Sequence, residues 1–137
     1  MRAFVDSSVW FAAIVARDRR NADAKVILRS IAEPVTTDHV LVETWLLLKS
    51  RYRREGAELF WRRLRQGVCR IEYPTPADLE AAWAIGEAFP DQDFSIVDRT
   101  SFAVIERLGI AQVASFDEHF AVYRYGRKRE RAFEVLR

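Results

Sequence analysis

Short apolar segments alternate with helical segments along almost the whole chain, and this alternation restricts the fold more than any other feature. The segment AFVD at residues 3–6 has the pattern of a buried strand, and SSVWFAAIV, which follows at once, that of a turn and the start of a helix. Strands that are separated by helices generally pair in parallel. The sequence therefore predicts an α/β fold with a mostly parallel central sheet.

Proline, glycine and capping residues set the bounds of the remaining elements. Asp38, Thr75 and Ser95 are expected to cap three of the helices. The predicted helices after the first lie at residues 21–33, from Asp38 to the region of Lys49, at 54–67, at 75–89, and between Ser95 and Gly109. The predicted strands after the first are PVTT, VCRIEY, AQVASFD and RAFEVL.

Length and composition limit the class of protein. A chain of 137 residues with 50% hydrophobic content is expected to form one globular domain over residues 1–137. The single cysteine, Cys69, excludes an internal disulfide framework and fits a reducing compartment. The N-terminus lacks the layout of a signal peptide, and no apolar run reaches the roughly 18 residues that a membrane span needs. We therefore expect a cytoplasmic protein without a membrane anchor.

Glu43 is the residue that raises the question of function. It lies among Leu41, Val42, Trp45 and Leu46, on a helix that is too apolar to stand wholly in water. None of its helical neighbours three or four positions away carries a fixed positive charge. A buried carboxylate without a partner is costly, so this group must be protonated, pair with a distant arginine, or bind a cation.

Three further acids have similarly apolar or hydroxyl-bearing surroundings. Asp6 and Asp117 each follow an apolar strand, and ligands of open parallel sheets sit at the carboxyl ends of the strands. Asp98 lies one turn into its helix, with no cation on that helical face. Taken singly, each has a structural explanation: Asp98 as half of a capping box with Ser95, Asp6 as a cap and Asp117 as a turn residue. Taken together, they form the oxygen-rich ligand set that Mg²⁺ or Mn²⁺ requires.

These residues carry a resemblance to a known family. The segments FVDSSVW, DFSIVDRTSF and ASFDEHF, with the isolated glutamate of the third helix between them, resemble the PIN-domain family, and within it the VapC-type toxins of toxin–antitoxin pairs. The resemblance implies a three-layer α/β/α fold with four to five strands, and a Mg²⁺- or Mn²⁺-dependent endoribonuclease. It also implies a cognate antitoxin protein and a homodimer. The implied catalytic and metal-binding residues are Asp6, Glu43, Asp98 and Asp117, with Ser7 or Ser8 in a supporting position.

Arginine is concentrated in two places that could contact RNA. Arginine outnumbers lysine by 19 to 3, although the formal net charge is only +2. One group of candidates lies at the end of the third helix and on the fourth, where arginines can neutralise phosphates: Arg51, Arg53, Arg54, Arg62 and Arg65. The other is the C-terminal segment YRYGRKRERAFEVLR, which is longer and more basic than in minimal family members. Either group could instead be an ordinary solvated surface or face an acidic antitoxin.

Two other functions compete with a nuclease. A non-catalytic PIN-like RNA-binding module would keep the basic surfaces but would not need all four acids. A receiver-like phosphoacceptor domain would need a lysine after a late strand, and Lys25, Lys49 and Lys128 do not meet this requirement. Neither histidine, His39 or His119, belongs to a recognisable catalytic pattern, so both are expected to be structural.

Overall fold

The protein is a five-stranded sheet with helices on both faces, described by a computed structural model that covers all 137 residues. The strands are β1 (Arg2–Val5), β2 (Glu33–Thr37), β3 (Arg70–Glu72), β4 (Gln112–Ala114) and β5 (Glu134–Leu136). The helices are α1 (Ser7–Ile14), α2 (Asn21–Ser30), α3 (Asp38–Arg51), α4 (Arg54–Arg65), α5 (Pro76–Ala88), α6 (Ile96–Leu108) and α7 (His119–Val122). No helix is both long enough and apolar enough to span a bilayer.

All strand pairs are parallel, in the order β3-β2-β1-β4-β5. The predicted three-layer α/β/α architecture is therefore confirmed, with five strands. The central strands are apolar on both sides, as a parallel sheet between two helical layers requires. Phe4 of β1 and Val113 of β4 are fully buried in a core cluster of 26 residues. This core fixes the sheet edge from which the functional side chains project.

The sheet has a topological switch point at β1, which pairs with β2 on one side and with β4 on the other. The chain passes from β1 through α1 and α2 to β2, and reaches β4 only after four further helices and β3. Such a switch leaves a crevice outside the carboxyl ends of the two strands. Asp6 follows β1 directly, and Asp117 lies three residues beyond the end of β4.

The predicted cap of α3 was wrong by one residue. Thr37, the last residue of β2, has an extended backbone, and its hydroxyl accepts a hydrogen bond from Val40 N at 3.1 Å. Asp38 is the first helical residue, and one of its carboxylate oxygens is buried without a hydrogen-bond partner. Both residue types cap helices well, so the choice depended on where β2 ends.

An ion pair joins α5 to α6. Asp78, which is 4% exposed, accepts hydrogen bonds from Arg107 Nε at 3.0 Å and Nη2 at 2.9 Å, and from Thr75 N at 2.8 Å. Burial raises the pKa of Asp78, but the bonds from Arg107 and Thr75 outweigh it, so the pKa lies below its usual value. The predicted cap at Thr75 is present, and it forms a complete capping box.

The basic C-terminal segment is held by contacts of its own arginines. Arg129 lies 4.8 Å from the Phe89 ring, and Arg131 lies 4.8 Å from the Tyr125 ring. Arg124 Nη1 donates to three backbone carbonyls of residues 121–123. The segment ends in β5, where Ser115 N donates to Leu136 O at 3.1 Å. Much of the positive charge of this segment therefore serves packing.

Candidate active site

A cleft of about 570 Å³ opens at the carboxyl ends of β1 and β4. All four acids singled out from the sequence line it, together with both predicted serines. Its charged and hydroxyl-bearing lining residues are Asp6, Ser7, Ser8, Asp18, Arg19, Arg20, Glu43, Arg51, Asp93, Ser95, Asp98, Asp117 and His119. The acids come from four separate parts of the chain, and the fold brings them to one place.

Asp6 is buried at the base of the cleft and is oriented by two hydroxyl groups. Ser8 Oγ donates to Asp6 Oδ2 at 2.8 Å, and Ser115 Oγ donates to the same oxygen at 2.9 Å. Each hydroxyl also accepts a backbone hydrogen bond, Ser8 from Phe116 N and Ser115 from Asp117 N, so its proton is directed to Asp6. Burial raises the pKa of Asp6, and repulsion from the nearby Asp98 carboxylate raises it further. The hydrogen bonds from the two serines lower it only in part.

Glu43 projects into the same cleft from α3. Ser7 Oγ donates to Glu43 Oε1 at 2.6 Å and lies 3.4 Å from Asp6 Oδ1, so this hydroxyl stands between the two carboxylates. Burial raises the pKa of Glu43, and the charges of Asp6, Asp98 and Asp117 raise it further against the effect of Ser7. Close acids of like charge thus disfavour one another's ionised forms.

Asp98 has the structural role foreseen for it and also lies in the cleft. Its Oδ2 accepts from Ser95 N at 3.0 Å while Ser95 Oγ accepts from Asp98 N, which completes a capping box at the start of α6. The same oxygen lies 2.8 Å from His119 Nδ1. The cap fixes the carboxylate where a ligand could reach it.

Asp117 and His119 complete the group on the β4 side. Asp117 Oδ1 accepts from His119 N at 2.9 Å and lies 3.5 Å from His119 Nδ1. Burial lowers the pKa of His119, but the hydrogen bond to Asp98 and the nearby negative charges outweigh it, so the pKa is raised. Asp98, Asp117 and His119 each offer a ligand atom within 4.8 Å of the other two.

None of the four acids forms an ion pair with an arginine or lysine; their only ion-pair partner is His119. The distant arginine that would have explained a buried Glu43 is therefore absent. Arg99, the sequence neighbour of Asp98, runs instead across α5, where its guanidinium occupies the space that a Cβ at Gly86 would need. The carboxylates are left free for a cation.

The predicted RNA-contacting arginines are divided between several surfaces. Arg51 lines the acidic cleft. Arg53 lies 4.8 Å from the Tyr52 ring. Arg54, Arg62 and Arg65 line a separate shallow depression on α4 with Glu58 and the half-exposed Trp61. RNA contact by these residues stays a prediction.

Several residues of the cleft were not predicted from the sequence to belong to it. His119 was expected to be structural, yet it contacts two of the acids. Ser115 was not singled out, and Asp93 was assigned to a turn, although it lines the cleft. For Ser115 and His119 the position beside Asp117 in ASFDEH was the one available indication, since both lie two residues from that acid.

The donor set fits a hard divalent cation. Carboxylate oxygens predominate, as Mg²⁺ and Mn²⁺ prefer, and hydroxyls fix their orientation. A pair of carboxylates about 4 Å apart repel by roughly 4 kcal/mol at an effective dielectric of 20, and a bound cation would reverse that sign. The raised pKa values of Asp6 and Glu43 reflect this repulsion in part.

Comparison with known proteins places this geometry in a family. Residues 3–125 match the PIN domain model, and the chain belongs to the PIN domain family. It is similar to the 23S rRNA-specific endonuclease VapC20 of Mycobacterium tuberculosis, with 39% identity over 120 residues, which cover 86% of this chain and 91% of the relative. The resemblance to VapC-type PIN toxins is therefore confirmed.

Two solved structures show the same fold. The crystal structure of M. tuberculosis VapC20, described as a Sarcin-Ricin loop cleaving toxin, superposes with a TM-score of 0.83 and 35% identity, covering 87% of this chain and 92% of the other. A chain of a toxin–antitoxin complex from Klebsiella pneumoniae gives a TM-score of 0.66 at 13% identity, covering 88% and 91% of the two chains. The second likeness concerns the fold alone.

Proposed function

We propose that this protein is an endoribonuclease that depends on a divalent metal and acts as the toxin of a type II toxin–antitoxin pair. The observation that carries the proposal is the convergence of Asp6, Glu43, Asp98 and Asp117 in one cleft without an arginine or lysine partner. A non-catalytic RNA-binding module would have no need of this costly arrangement. The 39% identity to an endonuclease supports the same conclusion.

The proposed substrate is a loop of 23S ribosomal RNA. The similar VapC20 is specific for 23S rRNA and is described as cleaving the sarcin–ricin loop. Unpaired loop nucleotides suit a shallow cleft of this kind, because their backbone can bend into a site that an intact double helix could not enter. A ribosomal substrate would be met in the cytoplasm, and this supports the proposal that the protein acts there.

Each side chain of the cleft has a task in phosphodiester hydrolysis. We assign Asp6, Glu43, Asp98 and Asp117 as the residues that would hold Mg²⁺ or Mn²⁺, with Ser7 and Ser8 orienting the first two. When bound, the cation supplies positive charge that activates water and stabilises the phosphorane-like transition state. His119 keeps Asp98 and Asp117 in place through its ring and backbone nitrogens.

The proposal includes an antitoxin protein and a homodimer. Both follow from the resemblance to VapC-type toxins. An apolar groove beside the cleft, lined by the exposed Val42 and Leu46 of α3 and Ile96 of α6, supports a protein contact on this side. Sedimentation at micromolar concentration would test the dimer.

The experiment that tests the proposed function is the sequencing of RNA ends after brief expression of the wild-type protein beside Asp6→Asn. We expect new ends at one position of a 23S rRNA loop in the wild type and none with Asp6→Asn, because the substitution removes charge at the base of the cleft with little change in volume. Identical end profiles for the two proteins would contradict the proposal.

Glu43→Gln tests whether the Glu43 carboxylate serves to bind a metal ion or to stabilise the fold. We expect it to lower cleavage strongly while the melting temperature without metal stays unchanged or rises by up to about 3 °C, since one member of a repelling set becomes neutral. The amide can still accept from Ser7 Oγ. Differential scanning calorimetry in EDTA measures this, and a fall of more than about 5 °C would mean that the Glu43 charge stabilises the fold.

A further inference from the structure

Arg20 lies on the wall of the acidic cleft and is held there by an ordered loop between α1 and α2. Its backbone N–H donates to Asp18 Oδ1 at 2.8 Å. The next residue, Asn21, donates through Nδ2 to Ala12 O at 2.7 Å and so ties this loop to the end of α1. The cleft therefore has a cation in a defined place as well as four acids.

The guanidinium of Arg20 stacks on an aromatic ring of the acid-bearing loop. Its Cζ lies 3.9 Å from the centroid of the Phe116 ring. Phe116 lies between Ser115 and Asp117, and its backbone N–H donates to Ser8 Oγ at 2.9 Å. The stacking thus couples the position of Arg20 to the residues that orient Asp6, although Arg20 and Phe116 are 96 positions apart in the sequence.

Arg20 retains hydrogen-bonding capacity that the protein does not use. Its Nη1 and Nη2 donate no hydrogen bond within the protein, and its buried Nε faces Asp23 Oδ2 at 3.6 Å, beyond hydrogen-bond length, in the one ion pair that Arg20 forms. Arg107, by contrast, forms short bonds with Asp78 and a longer one with Glu72. A guanidinium that is fixed by stacking but short of acceptors is suited to bidentate recognition of a phosphate.

We propose that Arg20 binds an RNA phosphate adjacent to the cleaved bond and so brings the polyanion to a cleft of four acids. This inference rests on the proposed function and adds a substrate-binding residue to it. RNA that approaches Asp6, Glu43, Asp98 and Asp117 meets strong repulsion, and a cation on the same wall offsets it at short range. Arg19 and Arg51 line the same cleft and extend the positive wall.

The test is the binding of a fluorescein-labelled RNA hairpin that carries the sarcin–ricin loop sequence, measured by anisotropy at several salt concentrations. All proteins carry Asp98→Asn to prevent cleavage. We expect Arg20→Gln to weaken binding about tenfold and to reduce the slope of log K against log[salt] by roughly 0.7 to 0.9, as the loss of one phosphate contact predicts. The matched control, Arg29→Gln on the exposed far end of α2, should change neither.

Phe116→Leu tests the positioning by stacking. We expect it to weaken RNA binding several-fold with Arg20 present and to have no further effect in Arg20→Gln, because the ring acts through the guanidinium. Equal salt slopes for Arg20→Gln and Arg29→Gln would overturn the inference, as would additive effects of Phe116→Leu and Arg20→Gln.

Cleavage assays of the same substitutions without Asp98→Asn distinguish failure of the Arg20 inference from failure of the proposed nuclease activity. If the wild type cleaves the hairpin and Arg20→Gln cleaves it at the same rate, the role of Arg20 is overturned and the proposed nuclease activity stands. A wild type that binds the hairpin through Arg20 with the expected salt slope but cuts no RNA would support the phosphate contact and refute the nuclease.

Discussion

Asp98→Asn is expected to lower the rate of RNA cleavage by about 10³-fold or more. Loss of groups that only support a metal ligand costs 10- to 100-fold, so the loss of a direct carboxylate ligand should cost more. The fold should survive, because the asparagine oxygen can still accept from Ser95 N and complete the cap of α6. We expect the melting temperature to change by no more than about 3 °C, equivalent to roughly 1 kcal/mol.

The measurement is the initial rate on the labelled sarcin–ricin hairpin, with circular dichroism to verify folding. Asp91→Asn is the matched control, since Asp91 is an exposed acid in the turn before α6 and lies outside the cleft. It should retain full activity. A folded Asp98→Asn protein that cuts as fast as the control would remove Asp98 from the site.

Removal of divalent metal is expected to abolish cleavage altogether. Purified protein, freed from any antitoxin, should cut the hairpin with Mg²⁺ or Mn²⁺, lose activity in EDTA, and regain it when Mg²⁺ is restored. The physical reason is that four carboxylates without a counter-charge repel the phosphate that they must approach. Cleavage that continues unchanged in EDTA would contradict a metal-dependent mechanism.

Thermal stability gives a second measurement of the same prediction. A ligand that binds only the folded state at 100 times its Kd stabilises it by about 2.7 kcal/mol, so saturating Mn²⁺ should raise the melting temperature by several degrees. The rise in melting temperature should be much smaller in Asp98→Asn than in the wild type, and it should equal the wild-type rise in Asp91→Asn. Equal shifts in all three proteins would mean that the ion binds elsewhere.

The sheet and the four acids could be predicted because they depend on local patterns. The strand before Asp6 and the Ser95 cap before Asp98 are both legible in short segments. Glu43 was conspicuous because its helix offers no cation at neighbouring positions. That Asp6 and Asp117 meet follows from the parallel sheet, since both follow strands whose carboxyl ends share one edge. The placing of Glu43 and Asp98 beside them was implied by the resemblance to the PIN-domain family.

The rest of the cleft depends on contacts between distant residues. His119 meets Asp98 only because the turn after β4 folds back onto the start of α6. Arg20 meets Phe116 across most of the chain, and nothing in the spacing of either residue indicates it. The arginines of the C-terminal segment looked like an RNA surface by composition, whereas Arg124, Arg129 and Arg131 are engaged by backbone carbonyls and aromatic rings.

The position of β5 has a consequence for biosynthesis. Ribosomes make a chain from its amino end, and the Ser115 backbone N–H finds its acceptor, Leu136 O, only after residue 136 has emerged. Ser115 in turn orients Asp6. The orientation of Asp6 therefore depends on a strand that is made late in synthesis, and a chain cut before residue 134 is expected to leave the acid at the base of the cleft less well oriented.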